Sequence, residues 1–336
     1  MVISRTPFRI SFFGGGTDYP GWYKKHGGSV LATTINKYCY ISARYYPPFF
    51  GYKYRIAYSQ IENCKTIDQI NHPSVRAVLR FLKISRGIEI HHDGDLPARS
   101  GLGSSSAFTV GLLHALYALE GLMPDKQKLA KESIHLEQVV LKETVGSQDQ
   151  VQAANGGLNY ITFHKNGEIT VKPVTISVKR IKELESHLML FYTGIARTAS
   201  DVAKTFVKNI EKKEKQLSAM NDMVGQALKI LNSKQNISEF GKLLHESWLL
   251  KRSLSSSVSS SFIDKLYLNA LSKGAIGGKI IGAGGGGFLL LFVPPSSQTK
   301  VKKQFNKLVH VPFKFENQGS QIIFYDQQED YEFLQK

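Results

Sequence analysis

The segment Leu96-Pro97-Ala98-Arg99-Ser100-Gly101-Leu102-Gly103-Ser104-Ser105-Ser106-Ala107 places small residues, two glycines and three adjacent hydroxyls directly before an apolar stretch. Small residues let a phosphate approach the backbone, free N–H groups of a first helical turn point at it, and the helix dipole adds partial positive charge. The serines suit three tasks there: capping the helix, binding phosphate oxygens or ligating Mg2+. No GxxxxGK[ST] of the Walker type occurs in the chain. A second segment, Gly282-Ala283-Gly284-Gly285-Gly286-Gly287, spells GxGxxG but runs into the strand-like FLLLFVPP, so a dinucleotide-binding reading fails on context. Four consecutive glycines between two strands fit a loop pressed against another backbone or a ligand, or a plain tight hairpin. The third segment is Phe13-Gly14-Gly15-Gly16-Thr17-Asp18-Tyr19-Pro20, in which Asp18 also reads as a helix cap or Asx-turn residue.

Two further carboxylates stand out. Ala130, Ile134, Glu137 and Leu141 fall at i, i+4, i+7 and i+11, so Glu137 lies on an apolar stripe. Buried there it needs a partner, either a basic side chain or a hard cation such as Mg2+. Asp149, within Gly146-Ser147-Gln148-Asp149-Gln150, reads equally as a helix cap and as a catalytic carboxylate.

The elements that must position these residues are a mixture of helix and strand. VISRTPFRISFF, NKYCYISARYY and GYKYRIAYS read as strands, the last two joined as a hairpin through Pro47-Pro48-Phe49-Phe50-Gly51. SVRAVLRFLKI has helical spacing, and IEIHHDGDLP is a strand leaving toward the serine-rich loop. Ser104 to Leu119 is apolar almost all round and predicts a buried helix. Asp125 to Lys142 predicts a second helix, and a hairpin turns at Asn166-Gly167. From about residue 181 a strand, three long helical segments, two strands, a helix and further strands predict a separate α+β layer.

Composition sets outer bounds. The 336 residues are 42% hydrophobic and include 19 Phe and 15 Tyr, enough for a substantial core. Cys39 and Cys64 form no metal or disulfide pattern, Arg5 and Arg9 interrupt any signal-like start, and the run Phe288 to Val293 is far too short to span a bilayer. A cytoplasmic protein without a membrane anchor is expected. Lys and Arg number 43 against 27 Asp and Glu, a formal charge of +16, which suits nucleic acid, an anionic membrane surface or phosphate-bearing small substrates. Lys204, Lys208, Lys212, Lys213 and Lys215 are interrupted by Glu211 and Glu214 and read as a solvated face, with a basic nucleic-acid-binding protein as the alternative of another class.

With the three glycine segments in order, the chain resembles the GHMP family of small-molecule kinases. Pro7 to Tyr19 resembles the family's first motif, Leu96 to Ala107 the phosphate-binding second, and Lys279 to Gly287 the third. GGGTDYP, GLGSSSAFTVGLLHAL, VGSQDQ, YTGIART and GAGGGGFLLLF look most similar to the bacterial D-glycero-D-manno-heptose 7-phosphate kinases, with L-fucokinase-like sugar kinases next. Galactokinase-like members carry Glu-His where this chain has Gly15-Gly16, so the galactose-binding pattern is absent.

The resemblance implies an α+β, two-domain fold: an N-terminal domain like ribosomal protein S5 domain 2, residues 1–180, and a ferredoxin-like C-terminal layer, residues 181–336. It implies transfer of the ATP γ-phosphate to the sugar 1-hydroxyl, giving heptose 1,7-bisphosphate on the way to GDP-heptose and surface polysaccharide. Pro97, Arg99, Ser100, Gly101, Leu102, Gly103, Ser104, Ser105 and Ser106 would surround ATP, with Ser105 and Glu137 on Mg2+. Asp149 would orient or deprotonate the hydroxyl, and Arg9 would offset charge on the transferring group. Gly14, Gly15, Gly16, Thr17 and Asp18 would face the sugar, together with Gly284 and Gly285. Thr193, Gly194 and Arg197 would hold the distal phosphate. The implied partners are ATP and a sugar phosphate, with no nucleic acid and no membrane, in a monomer or homodimer.

Overall fold

A computed structural model describes residues 1–195, 199–207 and 210–326. The first half contains strands β1 (Val2–Phe13), β2 (Gly28–Tyr45), β3 (Tyr54–Ala57), β4 (Ile61–Cys64), β5 (Ile88–Gly94), β6 (Leu158–Phe163) and β7 (Ile169–Pro173). Its helices are α1 (Pro20–His26), α2 (Pro73–Phe81), α3 (Ser104–Leu119), α4 (Lys126–His135) and α5 (Gln148–Asn155). The second half contains α6 (Val178–Ser186), β8 (Leu188–Tyr192), α7 (Ala199–Val207), α8 (Glu214–Asn232), α9 (Ser238–Arg252) and α10 (Ser261–Ser272). It ends with β9 (Gly277–Ile280), β10 (Phe288–Phe292), α11 (Gln298–Gln304), β11 (Val309–Val311), β12 (Phe315–Glu316) and β13 (Gln321–Tyr325).

The first sheet runs β13-β1-β2-β5-β3-β4, with β6 and β12 also pairing with β2, and β7 with β6. The hairpin expected across Pro47 to Gly51 does not form. β5 lies between β2 and β3, antiparallel to the former through Tyr45 opposite Ile88 and parallel to the latter through Tyr54 opposite Ile88. Pro47 and Pro48 have no N–H to give a ladder, and β5 brings Ile88 and Ile90, both buried, to the edge they leave open. The hairpin at Asn166-Gly167 does form, with Phe163 opposite Ile169.

α3 occupies the span its composition predicts and is buried on nearly every side. It lies close on β1: Ser4 Oγ donates to the Gly111 carbonyl at 2.8 Å, and a Cβ on Gly111 would sit 2.8 Å from Thr6 Oγ1. The second sheet is antiparallel, β11-β8-β10-β9, and its own core gathers Trp248, Ile263, Tyr267, Val301 and Phe305. α9 joins the layers. Phe240 packs edge-on against Phe12 and Phe13 of β1, with ring centroids 5.5 and 5.1 Å away, and 6.3 Å from Phe292 of β10.

β12 pairs with β2 and β13 with β1, so residues 315–325 return to the first sheet. We propose a division into two domains near residue 180, with this return as an exchange of strands from the C-terminal part back to the N-terminal one. Phe240→Ala should cost about 3–5 kcal/mol in urea unfolding, the usual loss for a buried aromatic. A loss below about 1 kcal/mol would show that the layers do not depend on this ring.

Candidate active site

Arg9 projects from β1 into the protein and is almost wholly buried. Its Nε and one terminal nitrogen donate to Asp149 Oδ1 and Oδ2 at 2.7 and 2.6 Å, a bidentate pair, and the other terminal nitrogen donates to the Gly101 carbonyl at 2.6 Å. Such charge-assisted forks fix geometry as well as energy. Ser147 takes the N-cap position of α5, so Asp149 in the first turn does not serve as the cap, and its side chain stays 25% exposed.

α3 begins at Gly103, in left-handed conformation with φ 75°, and no side chain caps it. Ser104 Oγ instead accepts from the Arg99 N–H at 3.2 Å. The serines therefore leave the amides of the first turn available, the arrangement an anion needs. Ser100 is buried with no partner on its hydroxyl, Leu102 is in the core, and Pro97 and Arg99 are exposed.

The predicted helix from Asp125 to Lys142 changes character: α4 ends at His135, and Leu136–Val140 forms a π-helical turn, a distortion common at functional sites. Glu137 lies in that turn, fully buried. Its Oε2 accepts from Ser106 Oγ at 2.9 Å and from Gln150 Nε2 at 2.5 Å, while Oε1 has no partner. Burial and the nearby Glu143 charge push its carboxyl up to about 7. The serine beside Glu137 is Ser106, whereas the expected Ser105 is exposed, because successive helix residues point about 100° apart.

Asp18 is buried between its own loop and α5. Oδ1 accepts from the Gly16 N–H at 2.9 Å and Oδ2 from Gln148 Nε2 at 2.9 Å. Burial pushes its carboxyl up, against the Gly16 hydrogen bond, and the Asp149 charge adds to the rise. Gly15 is part-exposed, 3.8 Å from both Ser11 Oγ and Gln148 Nε2 by the position a Cβ would take, and Ser11 Oγ has no partner. Gly14 and Gly16 are buried under Val224 and Leu217 of α8. Thr17 does not face a sugar as expected. It is fully buried, and its hydroxyl is engaged by the Gly14 and Ser29 carbonyls and the Ser29 N–H, which brace the loop.

The third glycine segment folds against the phosphate-binding loop. A Cβ on Gly282 would lie 2.6 Å from the Gly101 Cα, and one on Gly287 would collide with the Ser100 carbonyl. Gly284 and Gly285, expected toward the substrate, are buried, Gly284 against Val258, whose carbonyl accepts from the Gly285 N–H at 2.8 Å. Thr193 is likewise corrected: its hydroxyl and N–H both donate to the Gly287 carbonyl, at 2.8 and 2.9 Å. Gly194 is exposed, and Arg197 lies outside the described residues.

Residues 72–157 match the GHMP kinases N terminal domain, and residues 226–310 the GHMP kinases C terminal. The D-glycero-alpha-D-manno-heptose 7-phosphate kinase of Campylobacter jejuni is 30% identical over 317 residues, covering 91% of this chain and 93% of its own. The chain belongs to the GHMP kinases. The Bifunctional fucokinase/GDP-fucose pyrophosphorylase of Arabidopsis thaliana is 26% identical over 89% of the chain, which spans 30% of that longer protein. A crystal structure of a D-glycero-D-manno-heptose 1-phosphate kinase from Bacteriodes thetaiotaomicron superposes with TM-score 0.80 at 24% identity, covering 97% of this chain and all of that one. This likeness shows the α+β, two-domain GHMP fold. The protein is an ATP-dependent kinase by this membership.

Several residues of this GHMP kinase escaped the sequence reading. Gln148 joins Asp18, Ser11 lies beside Gly15, and the link from Ser106, itself expected at ATP, to Glu137 escaped with them, since only folding places these groups together. Two lysines do so from the second layer. Lys279 of β9 donates to the Phe12 carbonyl at 2.9 Å, and Lys251, at the end of α9, donates to the Ile280 carbonyl at 3.2 Å and to that of Gly282. Burial and the Arg9 charge push Lys251 down to about 7, and burial with the charges of Lys251 and Arg9 pushes Lys279 well below its usual range. Lys251 carried a signal: it continues the stripe Phe240, Leu244, Ser247 on α9.

Because Asp18 ionises above its ordinary 3.8 when folded, the unfolded chain gives up that proton first, and stability falls as pH rises from about 4 until the folded group also ionises. Asp18→Asn removes this loss, and Gln148 can turn its unpartnered Oε1 toward the new amide. The melting temperature of the variant relative to the original protein should therefore increase as pH rises from about 4. A difference independent of pH would contradict the assignment.

Proposed function

We propose that this kinase phosphorylates the anomeric 1-hydroxyl of D-glycero-D-manno-heptose 7-phosphate, giving heptose 1,7-bisphosphate for GDP-heptose and surface polysaccharide synthesis in the cytoplasm. The observation that carries the chemistry is the Arg9–Asp149 fork tied to Gly101, two residues before Gly103, the N-cap position of α3. In this reading the fork would hold a carboxylate and a guanidinium beside the point where a hydroxyl meets the end of a triphosphate. Similarity to the Campylobacter jejuni kinase over nine-tenths of the chain supports the choice of a sugar, and of heptose 7-phosphate among sugars.

The backbone amides of Ser104 to Ser106 would receive ATP phosphates, with Ser100 and Arg99 at the rim of the same loop. Asp149 would accept or orient the proton of the 1-hydroxyl. An anomeric hydroxyl is more acidic than an ordinary alcohol, so positioning and charge carry more of the reaction than base strength. Arg9 would spread charge on the transferring phosphoryl group, and Asp18, Gln148 and Ser11 would hold sugar hydroxyls. Among the described residues no group of three or more His, Cys, Asp or Glu comes together around a metal. Glu137 and Ser106 are the residues that would hold Mg2+, since Glu137 keeps a buried hard oxygen unspent. When bound, the ion would neutralise charge on the triphosphate. Among the described residues no helix is long and apolar enough to cross a membrane.

Asp149→Asn should fold and lose at least ~100-fold in kcat, the low end for removal of general-base catalysis. Near-normal turnover would remove Asp149 from this role. Incubation with Mg-ATP and a panel of heptose 7-phosphate, L-fucose, galactose and mannose, read by 31P NMR, should show a new anomeric phosphate on heptose 7-phosphate alone. Product on fucose instead would move the protein to a fucokinase-like activity.

A further inference from the structure

The phosphoryl transfer proposed above uses neither Lys251 nor Lys279, yet both are more than nine-tenths buried within reach of the charges of Arg9 and Asp18. An ammonium has three N–H donors. Lys279 spends one on Phe12 and Lys251 spends two, on Ile280 and Gly282, so as ammonium ions they keep two and one in reserve. Among the described residues neither lies in an ion pair with a carboxylate. The charged groups that face Lys251 are Arg9 from β1, Asp18 from the loop after β1, Asp149 from α5 and Lys279 from β9. Arg9 and Asp149 neutralise one another in their fork. Asp18 is turned toward Gly16 and Gln148. A charged Lys251 is therefore short of an anion.

The two lysines differ in what they hold. Lys279 grips the end of β1, whereas Lys251 grips Gly282, whose backbone lies against Gly101 of the phosphate-binding loop. We propose that Lys251 is a positioning residue for the terminal phosphates of ATP: when they enter the loop, the Lys251 amine takes a proton from solvent, and the resulting ammonium holds the third glycine segment against the loop. This rests on the kinase reading of the site. In the ligand-free protein burial holds Lys251 near the midpoint of its titration at neutral pH. A nearby anion favours the charged form. The sign follows: nucleotide binding draws in a proton and weakens as pH rises above about 7.

Calorimetric titration with the non-hydrolysable analogue AMP-PNP and MgCl2, at about pH 7.5 in two buffers of different ionisation heat, counts the protons taken up. The original protein should take up on the order of half a proton or more beyond that seen with Lys251→Met. Lys251→Arg keeps the charge without the titration. It should bind AMP-PNP within about threefold of the original protein and lose both the extra uptake and the decline in affinity between about pH 6.5 and pH 8.5. Equal proton uptake in the original protein and Lys251→Arg would overturn the proposal while leaving the kinase reading intact. If Lys251→Met does not fold, the comparison with Lys251→Arg decides alone. Absence of any AMP-PNP binding to the original protein would overturn the kinase reading and this proposal with it.

Discussion

The site around Arg9 and Asp149 depends on two backbones approaching more closely than any side chain would allow. Gly282 lies against Gly101, and Gly287 against Ser100, so the loop that leads into α3 rests on a loop from the other sheet. A Cβ at either glycine would push the two apart. The contact sets where Gly101 presents its carbonyl, and that carbonyl receives Arg9. Through Arg9 the position of Asp149 follows. Thr193 then ties the end of β8 to Gly287, and Val258 closes over Gly284 and Gly285. The glycine segment that spells a dinucleotide motif is thus a spacer of minimum thickness between two layers.

Around this contact the protein buries an unusual concentration of ionisable groups: Arg9, Asp18, Glu137, Lys251 and Lys279. Removing each ion from water costs several kcal/mol even after relaxation. The cost is offset unevenly. Arg9 and Asp149 satisfy one another, while Asp18 and Glu137 are held by amides and hydroxyls and titrate upward, and the lysines are held by carbonyls and titrate downward. Groups held this way change charge readily when a charged ligand arrives, which a surface of freely solvated lysines does not do. Much of the +16 excess lies elsewhere, on exposed faces such as α4 and α11.

What could be read without coordinates follows the range of the forces involved. α3 was legible because an all-round apolar segment has one stable environment, and its limits, Ser104 and Leu119, came out as expected. Glu137 was legible because a carboxylate on an apolar stripe must be compensated. The same reasoning applied to α9 would have exposed Lys251. The π-turn was not visible, since nothing in the local spacing marks it and the contacts of Glu137 with Ser106 and Gln150 come from other elements. Arg9 and Asp149 are linked to chemistry in the sequence only by resemblance, because no periodicity relates a strand to a helix so far along the chain. The misplaced hairpin has the same origin: strand order is decided by β5, which the segment from Asn36 to Ser59 does not contain. Thr17 and Thr193 carry the right atoms for ligand contacts, and only the fold shows those atoms already spent on backbone.

The return of β13 to β1 bears on how the molecule is made. β1 carries Arg9 and is synthesised early, yet the strand that covers its edge, with Val2 opposite Tyr325, is synthesised long after it. Until then the outer edge of β1 offers unpaired backbone groups beside an apolar sheet, the condition that favours pairing with the wrong chain. In a kinase of this topology the first strand and the phosphate-binding loop both wait on the C-terminal part, the one for its edge partner and the other for Gly282 and Gly287.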